Sequence, residues 1–360
     1  MTDHSAEKQV VAIKGRGSAT RLAHRFEHWG REPFEDGWPV PDLDTPPPAT
    51  SWIWEEAKSA MTRNRSPDIG FDRSLNPYRG CEHGCSYCYA RPSHSYLGMS
   101  PGLDFETRLV AKRGMPERLS QELARPHYRP GVVALGTVTD AYQPLERTLR
   151  ITRGLLEVLH DCRHPLAIVT KGSGIERDLD LLAPMAERQL AAVYVSLTTL
   201  DPALARRMEP RAPAPWRRLR TIQTLAEAGV PVGVSVSPQI PFLNDDMEQV
   251  LEAAHEAGAR RAFYVVLRLP WELSPLFRQW LRQHYPDRAD RVMSRIQDLH
   301  GGQDYNADFA TRRSGQGLWA GLMAQRFDKA CKRLRYQRQE QVWRLDAFRP
   351  PLRGGQLALF

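Results

Sequence analysis

The chain has 360 residues, 41% of them hydrophobic and 26% charged, and a formal net charge of +8. No apolar run reaches membrane-spanning length, and five cysteines, three of them clustered, are not a secreted disulfide scaffold, so those two classes are excluded. Fifty Lys and Arg against forty-two Asp and Glu favour encounters with polyanions, and the excess is carried mostly by arginine, whose fork suits phosphate and carboxylate.

Residues 1–60 read as a flexible, basic and proline-rich extension. Lys14-Gly-Arg-Gly-Ser18 is basic, Pro39 to Pro48 is proline-rich, and neither stretch supports a packed core. Residues 1–30 lack the apolar centre of a signal peptide, so the expected location is cytoplasmic.

Residues 61–270 carry the core. A short strand within Phe71–Gly80 is expected to deliver a loop, Cys81-Glu-His-Gly-Cys85-Ser-Tyr-Cys88-Tyr89, with three cysteines in eight residues. Three thiolates on one tight loop can converge on one metal centre, and Gly84 supplies backbone freedom at its sharpest point. Two centres suit them. A cubane iron–sulfur cluster leaves one of its irons open for a ligand; structural zinc needs a fourth ligand, for which His83 or His94 is available. Cys162 and Cys331 read as ordinary packing residues.

Strand and helix then alternate. Phe105–Lys112 has strand character and Glu117–Leu123 helical character. Strands are expected at Val132–Leu135, Leu166–Thr170, Ala192–Leu197, Val230–Val236 and Ala262–Leu267. Helices are expected at Leu145–Leu159, Ile175–Arg188, Trp216–Ala228 and Met247–Ala257. Apolar strands of this kind are buried parallel strands, and about six βα units make a partial TIM-like (β/α)6 barrel, an α/β fold. Functional side chains would then sit beyond the strands' C-terminal ends. Those positions hold Thr139 and Asp140, Lys171, Ser196 and Thr198, Glu209 and Arg211, and Ser235 and Ser237.

Residues 271–345 read as a mainly helical C-terminal extension. Within it are a helix over 270–284, an irregular Gly301–Gly317 insertion that is either a substrate-facing loop or a surface linker, and a basic helix over Leu318–Arg338 packed through Leu322, Phe327 and Leu334. Residues 346–360 are a flexible tail. Its end, Gln356-Leu-Ala-Leu-Phe360, resembles the peptide by which bacterial proteins bind the DNA sliding clamp, with Ala358 where a polar residue is more usual.

The CxxxCxxC pattern, with Tyr87 before its last cysteine, resembles the signature of the radical S-adenosylmethionine (radical SAM) enzymes. Asn76–Pro92, Ser100–Glu106 and Thr137–Glu146 extend the resemblance to an uncharacterised bacterial radical SAM group related to spore photoproduct lyase, over approximately residues 60–340. The resemblance implies that Cys81, Cys85 and Cys88 hold a [4Fe–4S] cluster whose fourth iron binds SAM. It implies further that Thr139 and Asp140 meet the SAM amino group and Lys171 its carboxylate or a substrate phosphate. By their place at strand ends alone, Ser196 and Thr198 would meet ribose or substrate oxygens and Ser235 adenosine. Arg211 adds a forked cation or a local salt bridge with Glu209, while Tyr87 and Tyr89 pack the cofactor, relay a radical or serve as ordinary aromatic packing. DNA or another nucleic acid is the implied substrate, and an unidentified reductase the implied electron source.

One departure bears on the reaction. The lyase pattern has a hydrogen-donor cysteine just before the Thr/Ser-Asp turn, where this chain has Thr137 and Val138. Competing readings are a radical SAM enzyme for a small-molecule or protein substrate and a non-enzymatic, metal-containing DNA-binding module.

Overall fold

The computed structural model describes residues 12–27, 49–339 and 341–351. The proline-rich Pro39–Pro48 stretch and the Gln356–Phe360 peptide lie outside the described residues. Ten strands are present among those described: β1 Ser51–Glu56, β2 Met61–Arg63, β3 Arg73–Leu75, β4 Tyr78–Arg79, β5 Arg108–Arg113, β6 Val133–Leu135, β7 Leu166–Thr170, β8 Ala191–Ser196, β9 Val232–Ser235 and β10 Arg261–Phe263.

The larger sheet has the order β10-β9-β8-β7-β6-β3-β2. All its pairs are parallel except β2 with β3, so β3 and β6 to β10 form six consecutive parallel strands. Among the described residues the sheet has two ends, β10 and β2, so this α/β arrangement is a partial barrel that does not close. Parallel strands must be covered on both faces, which is why β8 (AAVYVS) and β9 (VGVS) are almost wholly buried. The helices Ile151–Asp161, Leu179–Glu187, Pro215–Glu227 and Met247–Glu256 follow β6 to β9 in turn and bury apolar stripes such as Ile222 and Leu225. The helix Gly317–Arg333 adds an outer layer against Met247–Glu256, with Phe327 and Leu334 packed on the core.

A smaller sheet, β1-β5-β4, holds the start of the cysteine loop. β4 runs antiparallel to β5, and the Cys81 amide then donates to the Phe105 carbonyl at 2.9 Å. Gly80 takes φ +76°, and a Cβ there would stand 2.6 Å from that same carbonyl, so no other residue fits.

Four local expectations change. The strand expected over Phe105–Lys112 begins only at Arg108; Asp104–Thr107 is a helical turn, because Glu106 and Phe105 are drawn inward as fully buried side chains. The helix expected over Leu145–Leu159 is broken at Arg150, which sits at φ 52° between Glu146–Leu149 and Ile151–Asp161. Leu322 is exposed, because the buried stripe of the last helix runs through Ala320, Met323, Ala330 and Cys331. Residues 12–27 and 49–60, which fall within the expected extension, pack on the core: β1 pairs with β5, and Gly17 and Ser18 cover the cysteine loop. No helix among the described residues is long and apolar enough to cross a membrane.

Candidate active site

A cavity of about 270 Å³ opens at the C-terminal ends of the parallel strands. Cys81, Cys85 and Cys88 all line it, as do Tyr87 and Tyr89, and all three cysteines are free thiols. Around them stand residues from five successive strand ends: Thr139 and Asp140 after β6, Lys171 after β7, Ser196 of β8, Ser235 and Ser237 at β9, and Val266 to Arg268 after β10.

The loop that carries the cysteines is held from behind by Arg91, whose side chain is 1% exposed. All five of its donor hydrogens have an acceptor. Nε donates to the Cys85 carbonyl at 2.8 Å, Nη1 to the carbonyls of Pro101 and Gly102 at 3.2 and 2.7 Å, and Nη2 to the Gly84 carbonyl at 3.1 Å and to Glu106 Oε1 at 3.0 Å. Glu106 in turn accepts the amides of Gly17 and Ser18 at 3.0 and 2.9 Å. Gly84 lies at φ +66°, and a Cβ on it would come within 2.3 Å of the Glu106 carboxylate, so the turn between the first two cysteines is fitted to glycine. On the opposite flank, Glu82 accepts the Leu145 amide at 2.6 Å and Arg211 at 3.2 Å, while its own amide donates to Gln143.

Burial pushes the Cys81 thiol well above its ordinary value, with Asp140 and Cys85 adding to the effect, and pushes Cys85 up to about 12 against the pull of Lys171. Buried thiols such as Cys81 and Cys85 shed their protons when a cation compensates the charge, as metal-binding cysteines do. Among the described residues, no three or more His, Cys, Asp or Glu side chains converge so as to hold a single metal ion. A closed zinc site needs that convergence. A cubane does not, since each thiolate takes a different iron. His94 lies away from the cavity lining; its Nε2 meets the Arg108 carbonyl at 2.9 Å and its ring packs edge-on against Phe105.

Below Tyr87 lies a charged group in the core. The Glu209 carboxylate bonds Tyr87 and Arg218, accepts Thr198 Oγ1 at 2.7 Å and lies 4.0 Å from Lys171 Nζ. Arg218 also donates to the carbonyls of Pro213 and Ser196, at 2.8 and 3.1 Å. Burial alone would raise the Glu209 carboxyl, but Arg218 and Lys171 bring it down to about 2. Asp140 is likewise pulled below the usual carboxylate range, against its burial, by His83 and by hydrogen bonds from the Lys171 amide (2.7 Å) and Thr170 (2.6 Å).

Most of the residues singled out from sequence therefore meet in one place. Thr139, Asp140, Lys171, Ser196, Ser235, Tyr87 and Tyr89 share the cavity with the cysteines. Thr198 and Arg211 are not part of its lining: Thr198 is buried against Tyr87 and Glu209, and Arg211 spans Thr50 and Glu82. Three residues went unnoticed in sequence. Arg218 had a signal, an arginine one turn before Ile222 on the buried stripe of its helix. Arg91 and Glu106 lie in stretches that carry the family resemblance, but their pairing had no signal, because it joins separate loops.

Residues 75–254 match the family model of the radical SAM superfamily. An uncharacterised protein of Mycobacterium tuberculosis (strain ATCC 25618 / H37Rv) is 38% identical over 249 residues, 68% of this chain and 72% of its own length. Another, from Methanocaldococcus jannaschii, is 28% identical over 242 residues, 67% of this chain and 86% of its own. Among solved structures, spore photoproduct lyase complexed with dinucleoside spore photoproduct matches with a TM-score of 0.52 at 12% identity, over 79% of each chain. At that identity the likeness is one of fold.

Proposed function

The chain belongs to the radical SAM superfamily, and from that premise we propose that Cys81, Cys85 and Cys88 hold a [4Fe–4S] cluster that binds SAM and initiates hydrogen abstraction from a nucleic-acid substrate. The observation that carries this reading is that all three cysteines line one cavity together with polar side chains from five strand ends. When bound, the cluster supplies the electron that cleaves the SAM sulfonium to a 5'-deoxyadenosyl radical.

The protein's own groups divide the remaining work. Lys171 lies 4.0 Å from the ionised Glu209 carboxylate, which favours its charged form against its burial, and so offers a cation to the SAM carboxylate. Asp140 stays ionised beside the cysteine loop, where His83, the Lys171 and Tyr142 amides and Thr170 occupy its oxygens and its charge favours a cation in the cavity. Ser196 and Ser235, from neighbouring strands, offer hydroxyls to the nucleoside. Arg91 and Glu82 fix the loop so that the thiolates need not reorganise on loading. Tyr87 is committed to Glu209 and Thr198 and packs the site, whereas Tyr89, 44% exposed, is the aromatic placed to face substrate or relay a radical.

A nucleic-acid substrate is favoured by the +8 charge and by the fold shared with a lyase solved with a dinucleoside photoproduct. With Thr137 and Val138 where that lyase's pattern has its donor cysteine, and Cys162 and Cys331 buried in the main hydrophobic core and absent from the cavity lining, the reaction proposed is repair or modification without a thiol hydrogen donor from those positions.

Anaerobic reconstitution with iron and sulfide, followed by reduction with SAM, tests the reading. It expects about four irons and four sulfides per chain, and 5'-deoxyadenosine with methionine as products. Cys81→Ala, Cys85→Ala and Cys88→Ala each lose the products, whereas Cys162→Ala and Cys331→Ala keep them. Stoichiometric zinc without sulfide, or an assembled cluster without SAM cleavage, overturns it.

A further inference from the structure

We propose that Arg268 and Arg313 form a clamp at the cavity that takes a phosphodiester of a single-stranded or unstacked nucleic-acid segment. This deepens the reading above and rests on it for the identity of the cavity.

The two arginines come from distant parts of the chain. Arg268 follows β10, and Arg313 belongs to the Gly301–Gly317 insertion. The Val266 amide donates to the Arg313 carbonyl at 2.9 Å, which ties the insertion to the sixth parallel strand and turns it into a cavity wall. Both side chains line the cavity and are only partly exposed.

Among the described residues, neither guanidinium has a carboxylate to itself. Arg268 lies over the ring of Tyr89, 4.2 Å from its centroid, and that ring is anchored by its hydroxyl on the Thr137 carbonyl. Arg313 donates to the backbone carbonyl of Asp68. The Asp68 carboxylate is taken by Arg312, through bonds of 2.8 and 2.7 Å. Burial, and then the charge on Arg268, push the Arg313 pKa down. Arg268 and Arg313 thus share one partly desolvated wall where, among the described residues, the carboxylate that reaches Arg313, Asp68, is already bound by Arg312, so an arriving anion adds charge the wall lacks.

The surroundings select the anion. Ile69, Phe71 and Val138 give the same wall an apolar face, and Tyr89 gives it an aromatic one, suited to an unstacked base. The SAM carboxylate does not need this pair. Lys171 is turned towards the floor of the cavity, 5.7 Å from the Tyr87 ring centroid and 4.0 Å from Glu209, and serves it there. A second cationic pair beside an aromatic wall calls for a second anion bearing a planar group. A nucleic-acid strand supplies both, and extrusion of the reacting nucleotide is the general solution for chemistry on a base.

The test is anisotropy of a labelled ten-nucleotide single-stranded oligodeoxynucleotide with reconstituted full-length protein, across a salt series. The cavity variant is Arg268→Gln with Arg313→Gln; the control, Arg333→Gln with Arg338→Gln, removes equal charge from exposed sites on and just beyond the outer helix. The cavity variant is expected to bind about tenfold more weakly or worse. Its slope of log K against log salt should be shallower by about 0.7, one phosphate contact on a single strand. The control pair should change affinity by less than about twofold, because those arginines sit in exposed ion pairs. A methylphosphonate oligomer, with neutral linkages, should bind the wild type and the cavity variant alike.

Equal losses in the two variants, or no loss in the cavity variant, overturn the clamp. So does competition by thymidine monophosphate as tight as by the oligomer, since the site would then take a monoester. Iron and sulfide are measured on the same preparations. If the double variant loses them, the single variants Arg268→Gln and Arg313→Gln carry the test. Intact oligomer binding without SAM cleavage sinks the radical reading and leaves the clamp standing.

Discussion

Arg91→Met is the substitution for which the structure gives the clearest magnitude. It removes the cation from a buried pair whose side chains are 1% and 0% exposed, leaving the Glu106 carboxylate to the Gly17 and Ser18 amides and the more distant charge of Arg16. Breaking such a pair from one side costs about 3–5 kcal/mol. The carbonyls of Gly84, Cys85, Pro101 and Gly102 lose their donor as well, at roughly 1 kcal/mol or more each where water cannot enter. A total above about 5 kcal/mol is a large share of ordinary domain stability, and at about 1–2 °C per kcal/mol for a chain of this length the midpoint should fall by about 5 °C or more. Arg91→Lys keeps the charge but has three donors for five acceptors, so about half that loss is expected. Thermal unfolding by circular dichroism, with iron per chain measured after gel filtration, reads both effects. Iron retention should fall in the same order, because two of the lost bonds end on the cysteine loop itself. An Arg91→Met protein melting within about 2 °C of the native one, with full iron, would refute the reasoning.

Glu209 gives a pH signature. Its folded carboxyl is depressed from 4.5 to about 2, so the stability it contributes is fully present above the unfolded value and is lost as pH falls from about 4.5 through 2. Iron-free Glu209→Gln should be less stable than the native chain at neutral pH, and the gap should narrow across that acid window; a gap constant with pH would count against the buried pairing with Arg218. For the tail, the resemblance of Gln356–Phe360 to a clamp-binding peptide predicts that the intact chain binds a bacterial sliding clamp in surface plasmon resonance and a chain ending before Gln356 does not; equal binding by the two would dismiss the peptide.

Local chemistry decided a large part of this protein. Apolar runs such as Leu166–Thr170 and Ala192–Leu197 can only be buried strands, and the amphipathic stretches between them can only cover a sheet, so alternation alone leads to parallel βα units. The three cysteines were equally legible, because their spacing puts all three thiols on one loop. Strand ends also pointed to Asp140, Lys171, Ser196 and Ser235, since a parallel sheet gathers such positions at one edge.

What sequence could not supply was pairing across distance. Arg91 with Glu106, Glu209 with Arg218, and Arg268 beside Arg313 are charged residues that look solvated one at a time, and they acquire meaning only when the fold removes water from around them. The same applies to Gly17 and Ser18, whose basic, glycine-rich stretch suggests a loose segment until the Glu106 carboxylate is seen to bind both amides. Helix and strand are fixed by neighbours along the chain, whereas the worth of a charge depends on the dielectric and the counterions that tertiary structure places around it.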